Sequence, residues 1–577
     1  MSRFQQFAIR HVHGLHFDNV RGDLFGGITA AVIALPLSLA FGVASGAGPI
    51  AGLYGAICVG LFAAMFGGTP AQVSGPTGPM TVVMAAIYMQ YAAAYPDDPG
   101  RGAALAFTVV ALGGLFQIGL GMLKFGRYIN LVPAPVISGF MSGIGVIIIL
   151  LQLGPLLGQD VASGPLEAAR RLPEVLSGIV PGAAALGGLT LLTVYLWPAR
   201  LNKVLPAPLL VLIVGSLGLY LVTGGDIVLR EVDGKTRYFL GEASILGYIP
   251  SGLPEFRLPA IDLALAADMI KSALVLAVLG SIDSLLTSLV ADNITRSYHE
   301  SDRELVGQGI GNAVAGLLGG LPGAGATMRT VVNVRAGGLT PLSGMVHALI
   351  LLAIALGAGT LAKYVPHAVL AGILVKVGTD IIDWDYLKRL SYMPRAGAAM
   401  MFTVLLLTVF VDLITAVAVG MIMASFVFMK RVTEMQLASI TAITEPHAEA
   451  PLSEAERKLL AASEGRVLLF HPGGPISFGA AKDMVRRLGG FDQYDALVLD
   501  LSDVPTIDYT TARAIEDMIQ RVQGKGRHVF VCGEQSQVVG MLSQQHVLSQ
   551  LPPGHCQPNR LQGLGAALQA LGKTAPP

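Results

Sequence analysis

Two glycine-rich turns, one in each half of the chain, contain the residue types that could bind a small anion. The first covers residues 73–79 (VSGPTGP) and the second residues 322–329 (PGAGATMR), and a short apolar run follows each of them. This pattern predicts two half-helices that begin inside the protein. The N-terminus of a helix presents unpaired N–H groups and the positive end of the helix dipole, so two opposed N-termini would favour a negatively charged ligand.

Four residues in these turns are the candidate anion ligands. Thr77 offers a hydroxyl beside the backbone N–H groups of the following turn. Gly325, Ala326 and Thr327 expose the opposing backbone, because two of the three have almost no side chain. A threonine in this position could instead cap the helix, and the two roles are compatible.

Asp283 is the candidate cation ligand, because it lies in the middle of the apolar run VLAVLGSIDSLLTSLV. An ionised carboxylate within a membrane costs about 2.5–3.5 kcal/mol, which makes a functional role the default hypothesis. Thr287 lies four residues later and therefore on the same helix face. Carboxylate, hydroxyl and nearby carbonyl oxygens would suit Na⁺, and a proton is the alternative coupling ion.

Two roles are open to Arg329, which follows the second turn. It could pair with Asp283 for structural reasons alone. It could also face the anion and supply a positive countercharge. The sequence does not separate these roles.

The composition is that of a polytopic membrane protein. Of 577 residues, 53% are hydrophobic and 13% are charged, a usage far from that of soluble domains. The formal net charge of zero and the lack of a basic patch with interleaved aromatics argue against nucleic acid as a partner. The three cysteines are scattered, and no nucleophile–base pair, phosphate loop or metal-ligand spacing is visible. We therefore expect neither an enzyme nor a cofactor beyond the coupling ion.

Apolar runs bounded by glycine, proline or charge predict about fourteen membrane segments, several too short to cross as straight helices of about 20 residues. They are Leu24–Ala44, Pro49–Phe66, Pro79–Tyr91, Ala103–Leu123, Pro133–Leu153, Gly182–Leu196, Ala207–Val222, Met269–Val290, Glu304–Leu321, Thr327–Val334, Leu342–Leu361, Pro366–Asp380, Ala396–Asp412 and Leu413–Met429. Lysine and arginine are concentrated in alternate connections. By the positive-inside rule, both the N-terminus and the tail would lie in the cytoplasm.

The segments form two sets of seven, with a short segment at the same place in each set. Because seven is odd, the second set must be inverted relative to the first, as in transporters built from inverted repeats. The alternative is that glycine-rich helices simply pack closely. The predicted domains are a cytoplasmic segment 1–22, a membrane domain 23–432 with repeats at about 23–222 and 268–432, and an α/β tail 440–577 of alternating strand-like and helix-like runs.

Three stretches and the tail make the chain similar to the SulP anion transporters over nearly its whole length. The stretches are residues 52–83 (GLYGAICVGLFAAMFGGTPAQVSGPTGPMTVV), 280–296 (GSIDSLLTSLVADNITR) and 323–333 (GAGATMRTVVN). The resemblance implies a UraA-like fold of fourteen segments with core and gate domains, an elevator-like motion and a homodimer joined through the STAS and membrane domains. It also implies a multi-pass protein of the cell (inner) membrane.

Within the family, the chain resembles most the BicA-type sodium-dependent bicarbonate transporters. By that pattern Thr77, Gly325, Ala326 and Thr327 would contact the anion. Asp283, Thr287, Gly325 and Thr327 would hold Na⁺. The implied function is sodium-coupled uptake of bicarbonate.

Two departures keep other functions open. The first span reads LPLSLAF at residues 35–41, without the glutamine of the IPQAMAYA-like pattern in many sulfate-type members. Arg329, in contrast, matches an arginine common in the wider family, and its charge could favour a divalent anion. Proton-coupled or exchange transport of sulfate or a dicarboxylate is the alternative. An anion channel, or a transporter-like sensor that signals through the tail, is the alternative of another class.

The tail segment 499–511 (LDLSDVPTIDYTT) resembles the strand-to-helix turn of a STAS domain. Asp508 and Thr510 fall where bacterial relatives have an aspartate and a phosphorylatable serine. Thr510 is therefore a candidate phosphorylation site. The alternative is that it caps the following helix.

Overall fold

The fold is described from a computed structural model that covers two compact units. The described residues are 12–162, 164–202, 205–232, 235–247, 254, 256, 258–357, 363–411, 413–446, 452–533 and 536–573. Of the predicted N-terminal segment 1–22, residues 1–11 lie outside this set, as do the predicted segment ends Leu361 and Asp412. The two units are Met1–Met421 and Ile422–Pro577.

Each of the fourteen predicted membrane segments coincides with a helix. The described ends agree to within about five residues, except that the last helix continues nine residues beyond the predicted end Met429. The helices are Val20–Ala44, Pro49–Phe66, Gly78–Ala94, Pro99–Met122, Ala134–Leu156, Pro181–Leu196, Ala207–Thr223, Ala266–Thr295, Ser301–Leu317, Thr327–Arg335, Pro341–Gly357, His367–Ile381, Arg395–Phe410 and Leu413–Ala438. We call Gly78–Ala94 the front half-helix and Thr327–Arg335 the rear half-helix.

Many of these helices are short for a membrane span. By length and hydropathy, six described helices could cross a membrane singly, or seven if the bent pair Pro165–Ser177 and Pro181–Leu196 forms one span. Three further apolar helices are shorter: Ala207–Thr223, Pro341–Gly357 and Arg395–Phe410. The rear half-helix has nine residues, which is far below the length of a full crossing.

The first unit contains two groups of packed helices. The core bundle contains Val20–Ala44, Pro49–Phe66, Pro99–Met122, Ala266–Thr295, Ser301–Leu317 and Pro341–Gly357, with both half-helices packed on it. The gate bundle contains Ala134–Leu156, Pro181–Leu196, Ala207–Thr223, His367–Ile381 and Arg395–Phe410. This division agrees with the core and gate domains that the family resemblance implies.

Glycine allows a close helix contact in the core bundle, between Pro99–Met122 and Ser301–Leu317. A Cβ atom on Gly114 would lie 2.3 Å from the backbone nitrogen of Ala313, and one on Gly309 would lie 2.6 Å from the carbonyl oxygen of Gly114. Such small residues let backbones approach within a membrane. Close packing therefore explains some of the glycines, but not the matched half-helices.

Two of the connections between the predicted segments contain structure that the sequence did not reveal. The helix Pro165–Ser177 lies between the fifth and sixth predicted segments. A three-stranded antiparallel sheet lies between the two repeats and consists of Ile227–Val232, Lys235–Leu240 and Ala243–Ile245. The helix buries apolar Ala168 and Val175, whereas its charged residues Arg170 and Glu174 are exposed. Such amphipathic elements do not appear as apolar runs, which is why the search for membrane segments missed them.

The second unit is an α/β domain around one five-stranded sheet. The strand order is Cys556–Gln557, His528–Cys532, Ala496–Asp500, Val467–Pro472 and Ile440–Ile443, and only the last pair is antiparallel. The three central strands are the predicted runs RHVFVCG, ALVLDLSDV and RVLLFHPGG. The predicted helical runs form Phe478–Leu488 and Tyr509–Gln523.

Asp508, not Thr510, caps the helix Tyr509–Gln523. The Asp508 carboxylate accepts a hydrogen bond from the Thr511 N–H at 2.8 Å and another from the Thr511 hydroxyl. Thr510 is the second helical residue and its side chain is exposed. The cap interpretation of Thr510 is therefore wrong, because the carboxylate two residues earlier already occupies that role. Phosphorylation of Thr510 stays a prediction.

A buried ionic cluster lies at the carboxyl ends of two central strands of this sheet. Burial alone would raise the pKa of Asp500, but hydrogen bonds from His471, Ser502 and Arg560 outweigh burial and hold the pKa well below its usual range. The Nδ1 atom of His471 lies 2.9 Å from the Asp500 carboxylate. The ionised Asp500 therefore adds to the free energy of unfolding at neutral pH. This contribution is lost as the pH falls from the ordinary range of a carboxyl group through the lowered pKa.

Candidate functional site

The two predicted turns meet in the core bundle. Ser74–Gly75 and Ala324–Gly325 form a two-stranded antiparallel ladder in which Ser74 faces Gly325. The Ala326 N–H donates to the Val73 carbonyl at 2.9 Å and extends this ladder. The half-helices begin three and two residues after the paired strands, so their N-termini are held beside each other.

Thr77 occupies the capping position of the front half-helix but does not cap it. Its hydroxyl makes no capping hydrogen bond to the helix backbone and instead donates to Oδ2 of Asp283 at 2.7 Å. Both side chains are 7% exposed. The structure therefore brings together two predicted site residues, and the hydroxyl of Thr77 serves Asp283 in place of a cap.

Thr287 makes the matching connection to the rear half-helix. Its Oγ1 donates to the Gly325 carbonyl at 2.9 Å and lies 2.8 Å from Oγ1 of Thr327. The neighbouring Ser284 hydroxyl accepts a hydrogen bond from the Gly325 N–H at 3.1 Å. Thr327 is exposed, whereas Thr287 is completely buried. One helix, Ala266–Thr295, thus contacts both turns.

Asp283, Thr287, Thr327 and the Gly325 carbonyl offer a set of oxygen ligands. Thr287 contacts both Gly325 and Thr327, and Asp283 lies one helical turn before Thr287. Hard cations take such oxygen ligands. The set contains one carboxylate among neutral oxygens, which suits a monovalent ion better than a divalent one. Among the residues that the structure describes, no group of three or more histidine, cysteine, aspartate or glutamate side chains could hold a metal ion.

We call residues 73–79 the front turn and residues 322–329 the rear turn. Arg329 packs against the front turn and is 2% exposed. Its Nη2 donates to the Pro76 carbonyl at 2.5 Å. Its Nη1 is directed towards Gly75, where a Cβ atom would lie 2.8 Å away, and finds no hydrogen-bond partner among the described residues. No ion pair within 4.0 Å links the described side chains of Arg329 and Asp283. Arg329 therefore holds the backbone that precedes Thr77 and leaves a positive charge beside the two N-termini.

Sequence reasoning missed several buried polar residues that hold the turns. Glu304 accepts hydrogen bonds from the backbone of the segment before the front turn. Asn312 binds both backbone groups of Gly323, its Oδ1 accepting from the N–H at 2.7 Å and its Nδ2 donating to the carbonyl at 3.0 Å. A carboxylate and an amide within the predicted segment Glu304–Leu321 were the available signal. From the sequence alone, Glu304 marks only the border of that segment.

A cavity of about 1020 Å³ lies between the core and gate bundles, lined by residues that include Ser45, Gln152 and His367. A small adjoining pocket shares Gln152 with this cavity and reaches Gly78, the first residue of the front half-helix. A separate small pocket between the bundles is lined by Asp283 and by apolar side chains such as Phe140. The candidate site therefore lies at the boundary between the bundles, where two pockets approach it.

Comparisons with known proteins agree with this architecture. The sulfate permease family matches residues 20–404, and the STAS domain matches residues 458–558. The chain is 44% identical over 569 residues to the bicarbonate transporter BicA of Picosynechococcus sp., covering 97% of this chain and 98% of that protein. It is 45% identical over 559 residues to BicA of Synechocystis sp., covering 97% and 96%.

Solved structures give the same result for the fold. The transmembrane domain of a cyanobacterium bicarbonate transporter BicA is 49% identical and covers 70% of this chain and 99% of that chain, with a TM-score of 0.63. The murine anion transporter Slc26a9 in its inward-facing state is only 18% identical but covers 99% and 96%, with a TM-score of 0.76. The second likeness concerns the fold alone. The chain belongs to the sulfate permease (SulP) family of membrane transporters and ends in a STAS domain.

Proposed function

We propose that this protein is a secondary active transporter that takes up bicarbonate together with Na⁺. The observation that carries the proposal is the meeting of two half-helix N-termini beside a buried carboxylate. The names of the relatives at 44% and 45% identity support bicarbonate as the anion. The proposed coupling ion follows from the oxygen set around Asp283.

The anion would bind between the two N-termini, at Thr77 and at Gly325, Ala326 and Thr327. The first N–H groups of a helix have no partner within the helix. In the rear half-helix the Thr330 N–H is the first to reach back, to Ala326, so the N–H groups of Thr327, Met328 and Arg329 can donate to a ligand. The N–H groups of Gly325 and Ala326 already donate to the Ser284 hydroxyl and the Val73 carbonyl. Arg329 would add positive charge without leaving its place against the front turn.

Na⁺ would bind to Asp283, Thr287, Thr327 and the Gly325 carbonyl. Gly325 and Thr327 then belong to both ligand sets, and Asp283 holds the hydroxyl of Thr77. The positive charge of Na⁺ would therefore stabilise the bound anion. Binding of either ion would also order the two turns, and this would raise the affinity for the other ion. Shared residues of this kind couple the two binding events.

Transport would follow an elevator-like movement of the core bundle against the gate bundle. The binding site belongs to the core bundle, and the gate bundle contacts it at one face. A Cβ atom on Gly78 would lie 2.6 Å from Cδ1 of Ile381 and 2.9 Å from Cδ1 of Ile148, both in the gate bundle. Gly78 has no side chain that could interlock with these isoleucines, so the core bundle could slide past them.

The proposed setting is a homodimer in the cell (inner) membrane, with the N-terminus and the STAS domain in the cytoplasm. The arginine and lysine residues in alternate connections support this orientation. The STAS domain would contribute to dimer contacts and regulation, and phosphorylation of Thr510 is one candidate route, since that side chain is exposed.

Arg329 favours a second candidate function, the proton-coupled or exchange transport of sulfate or a dicarboxylate. A buried guanidinium with an unpaired Nη1 could offset the second charge of a divalent anion. Relatives at 30% identity include a putative sulfate transporter of Bacillus subtilis. Bicarbonate remains the first candidate, because the more similar relatives carry that name.

A competition assay distinguishes these substrates. Purified protein in liposomes should take up radiolabelled bicarbonate, and an excess of unlabelled bicarbonate should suppress this uptake far more than sulfate, fumarate or chloride. Empty liposomes supply the background caused by carbon dioxide diffusion. Stronger suppression by sulfate or fumarate than by bicarbonate would contradict the proposed substrate and favour the second candidate.

A further inference from the structure

Glu304 is a buried carboxylate that none of the proposed ligand contacts uses. It lies in the first turn of the helix Ser301–Leu317 and is 1% exposed. Its Oε2 accepts hydrogen bonds from the N–H groups of Gly68 and Thr69, both at 2.9 Å. Its Oε1 accepts from the side-chain amides of Gln72 at 2.7 Å and Gln308 at 2.8 Å. All four partners donate N–H groups, so an acceptor-only carboxylate satisfies every one of them.

Gln72 links this carboxylate to the proposed cation ligands. While its Nε2 donates to Glu304, its Oε1 accepts from the Ser288 hydroxyl at 3.0 Å, and Ser288 follows Thr287 directly. The same amide packs against the rear turn, because a Cβ atom on Gly325 would lie 2.4 Å from Nε2 of Gln72. The orientation of one amide therefore sets the position of Gly325 and of the helix that carries Thr287.

A second connection runs from Glu304 to the same turn through Gln308. The Gln308 amide donates both to Glu304 and to the Ser74 hydroxyl, the latter at 2.5 Å. Ser74 faces Gly325 in the ladder that joins the two turns. Two separate side chains thus connect one carboxylate to Gly325, whose carbonyl is a proposed cation ligand.

We propose that Glu304 is a positioning residue that sets the affinity for Na⁺ by orienting Gln72 and Gln308 against the rear turn. The proposal rests on the proposed sodium coupling and adds a residue that contacts neither ion. Partners that orient the ligands of a metal ion typically change its affinity about 10- to 100-fold when they are mutated. Glu304 should act on Na⁺ affinity in this way.

The test replaces Glu304 by glutamine, which keeps the size of the side chain but turns one acceptor into a donor facing N–H donors. Uptake of bicarbonate by full-length protein in liposomes is measured as a function of Na⁺ concentration. The Na⁺ concentration for half-maximal uptake should rise about 10- to 100-fold. The bicarbonate KM at saturating Na⁺ should change far less. A purely structural role would lower the maximal rate without shifting the half-saturating Na⁺ concentration.

Glu300→Gln is the matched control, since the Glu300 side chain lies one turn earlier and is 56% exposed. It should keep the half-saturating Na⁺ concentration of the wild type. A Glu304→Gln protein with that same concentration would overturn the proposal. If Glu304→Gln does not fold, Ser288→Ala decides, because it removes the hydroxyl that donates to Gln72 and that also contacts the Thr69 hydroxyl and the Ser284 carbonyl. A raised half-saturating Na⁺ concentration then supports the proposal, and an unchanged one overturns it.

The wild type separates this proposal from the proposed function. Bicarbonate uptake that does not depend on Na⁺ in the wild type would overturn both. A wild type that depends on Na⁺, with a Glu304→Gln variant of unchanged Na⁺ dependence, would overturn the role of Glu304 alone.

Discussion

Replacing Asp283 by asparagine should remove the stimulation of bicarbonate uptake by Na⁺. Asparagine keeps an oxygen that can accept the hydrogen bond from Thr77, which is 2.7 Å long in the wild-type protein. It removes the one negative charge among the proposed cation ligands. Loss of a charged partner from a buried site costs about 3–5 kcal/mol, which corresponds to a fall in Na⁺ affinity of about a hundredfold or more. The measurement is initial uptake of radiolabelled bicarbonate by proteoliposomes over a range of Na⁺ concentrations.

Asp268→Asn is the control for this experiment, since Asp268 lies on the same helix and is exposed. It removes the same charge far from the turns and should leave the Na⁺ dependence as in the wild type. Sodium-stimulated uptake of normal affinity in the Asp283→Asn protein would show that the carboxylate is not a cation ligand.

Replacing Gly325 by alanine should impair both ligands at once. The new Cβ atom would lie 2.4 Å from Nε2 and 2.7 Å from Cδ of Gln72, and 3.0 Å from Cβ of Thr287. Overpacking of this kind costs about 1–3 kcal/mol, and if the turn absorbs the strain, ligand affinity falls about 5- to 150-fold. Both the bicarbonate KM and the half-saturating Na⁺ concentration should therefore rise, as uptake kinetics would reveal.

Gly119→Ala is the matched glycine substitution. Gly119 lies in the core-bundle helix Pro99–Met122, and no heavy atom lies within 4 Å of the position of its new Cβ atom. This variant should transport like the wild type. An unaffected Gly325→Ala protein would mean that the rear turn does not contribute to the site.

The two turns could be predicted because glycine and proline are conspicuous in an apolar chain and mark a break in a helix. The contact between Thr77 and Asp283 spans 206 residues, and no local pattern fixes a contact of that separation. Sequence reasoning therefore identified both residues as site candidates without identifying their hydrogen bond. It also left capping open for Thr77, since the partner of the hydroxyl depends on the fold.

Glu304 shows where prediction from composition ends. Its position at the edge of an apolar run is that of a residue at a membrane boundary. Its burial depends on the backbone of Gly68 and Thr69 folding over it, which is a property of tertiary packing. The wrong assignment of the helix cap to Thr510 has the same origin. Sequence spacing alone would let either Asp508 or Thr510 reach the helix N-terminus, and only the fold decides between them.

The central claim is that one pair of turns holds the anion and the cation together, and equilibrium binding tests it most directly. Binding of radiolabelled bicarbonate to the purified protein should be measured in Na⁺ and in the same concentration of K⁺, for the wild type and for Asp283→Asn. By thermodynamic reciprocity, Na⁺ should raise the affinity of the wild type for bicarbonate by the same factor by which bicarbonate raises its affinity for Na⁺. The Asp283→Asn protein should bind bicarbonate equally in both salts. Wild-type affinity for bicarbonate that is the same in Na⁺ and K⁺ would contradict the account.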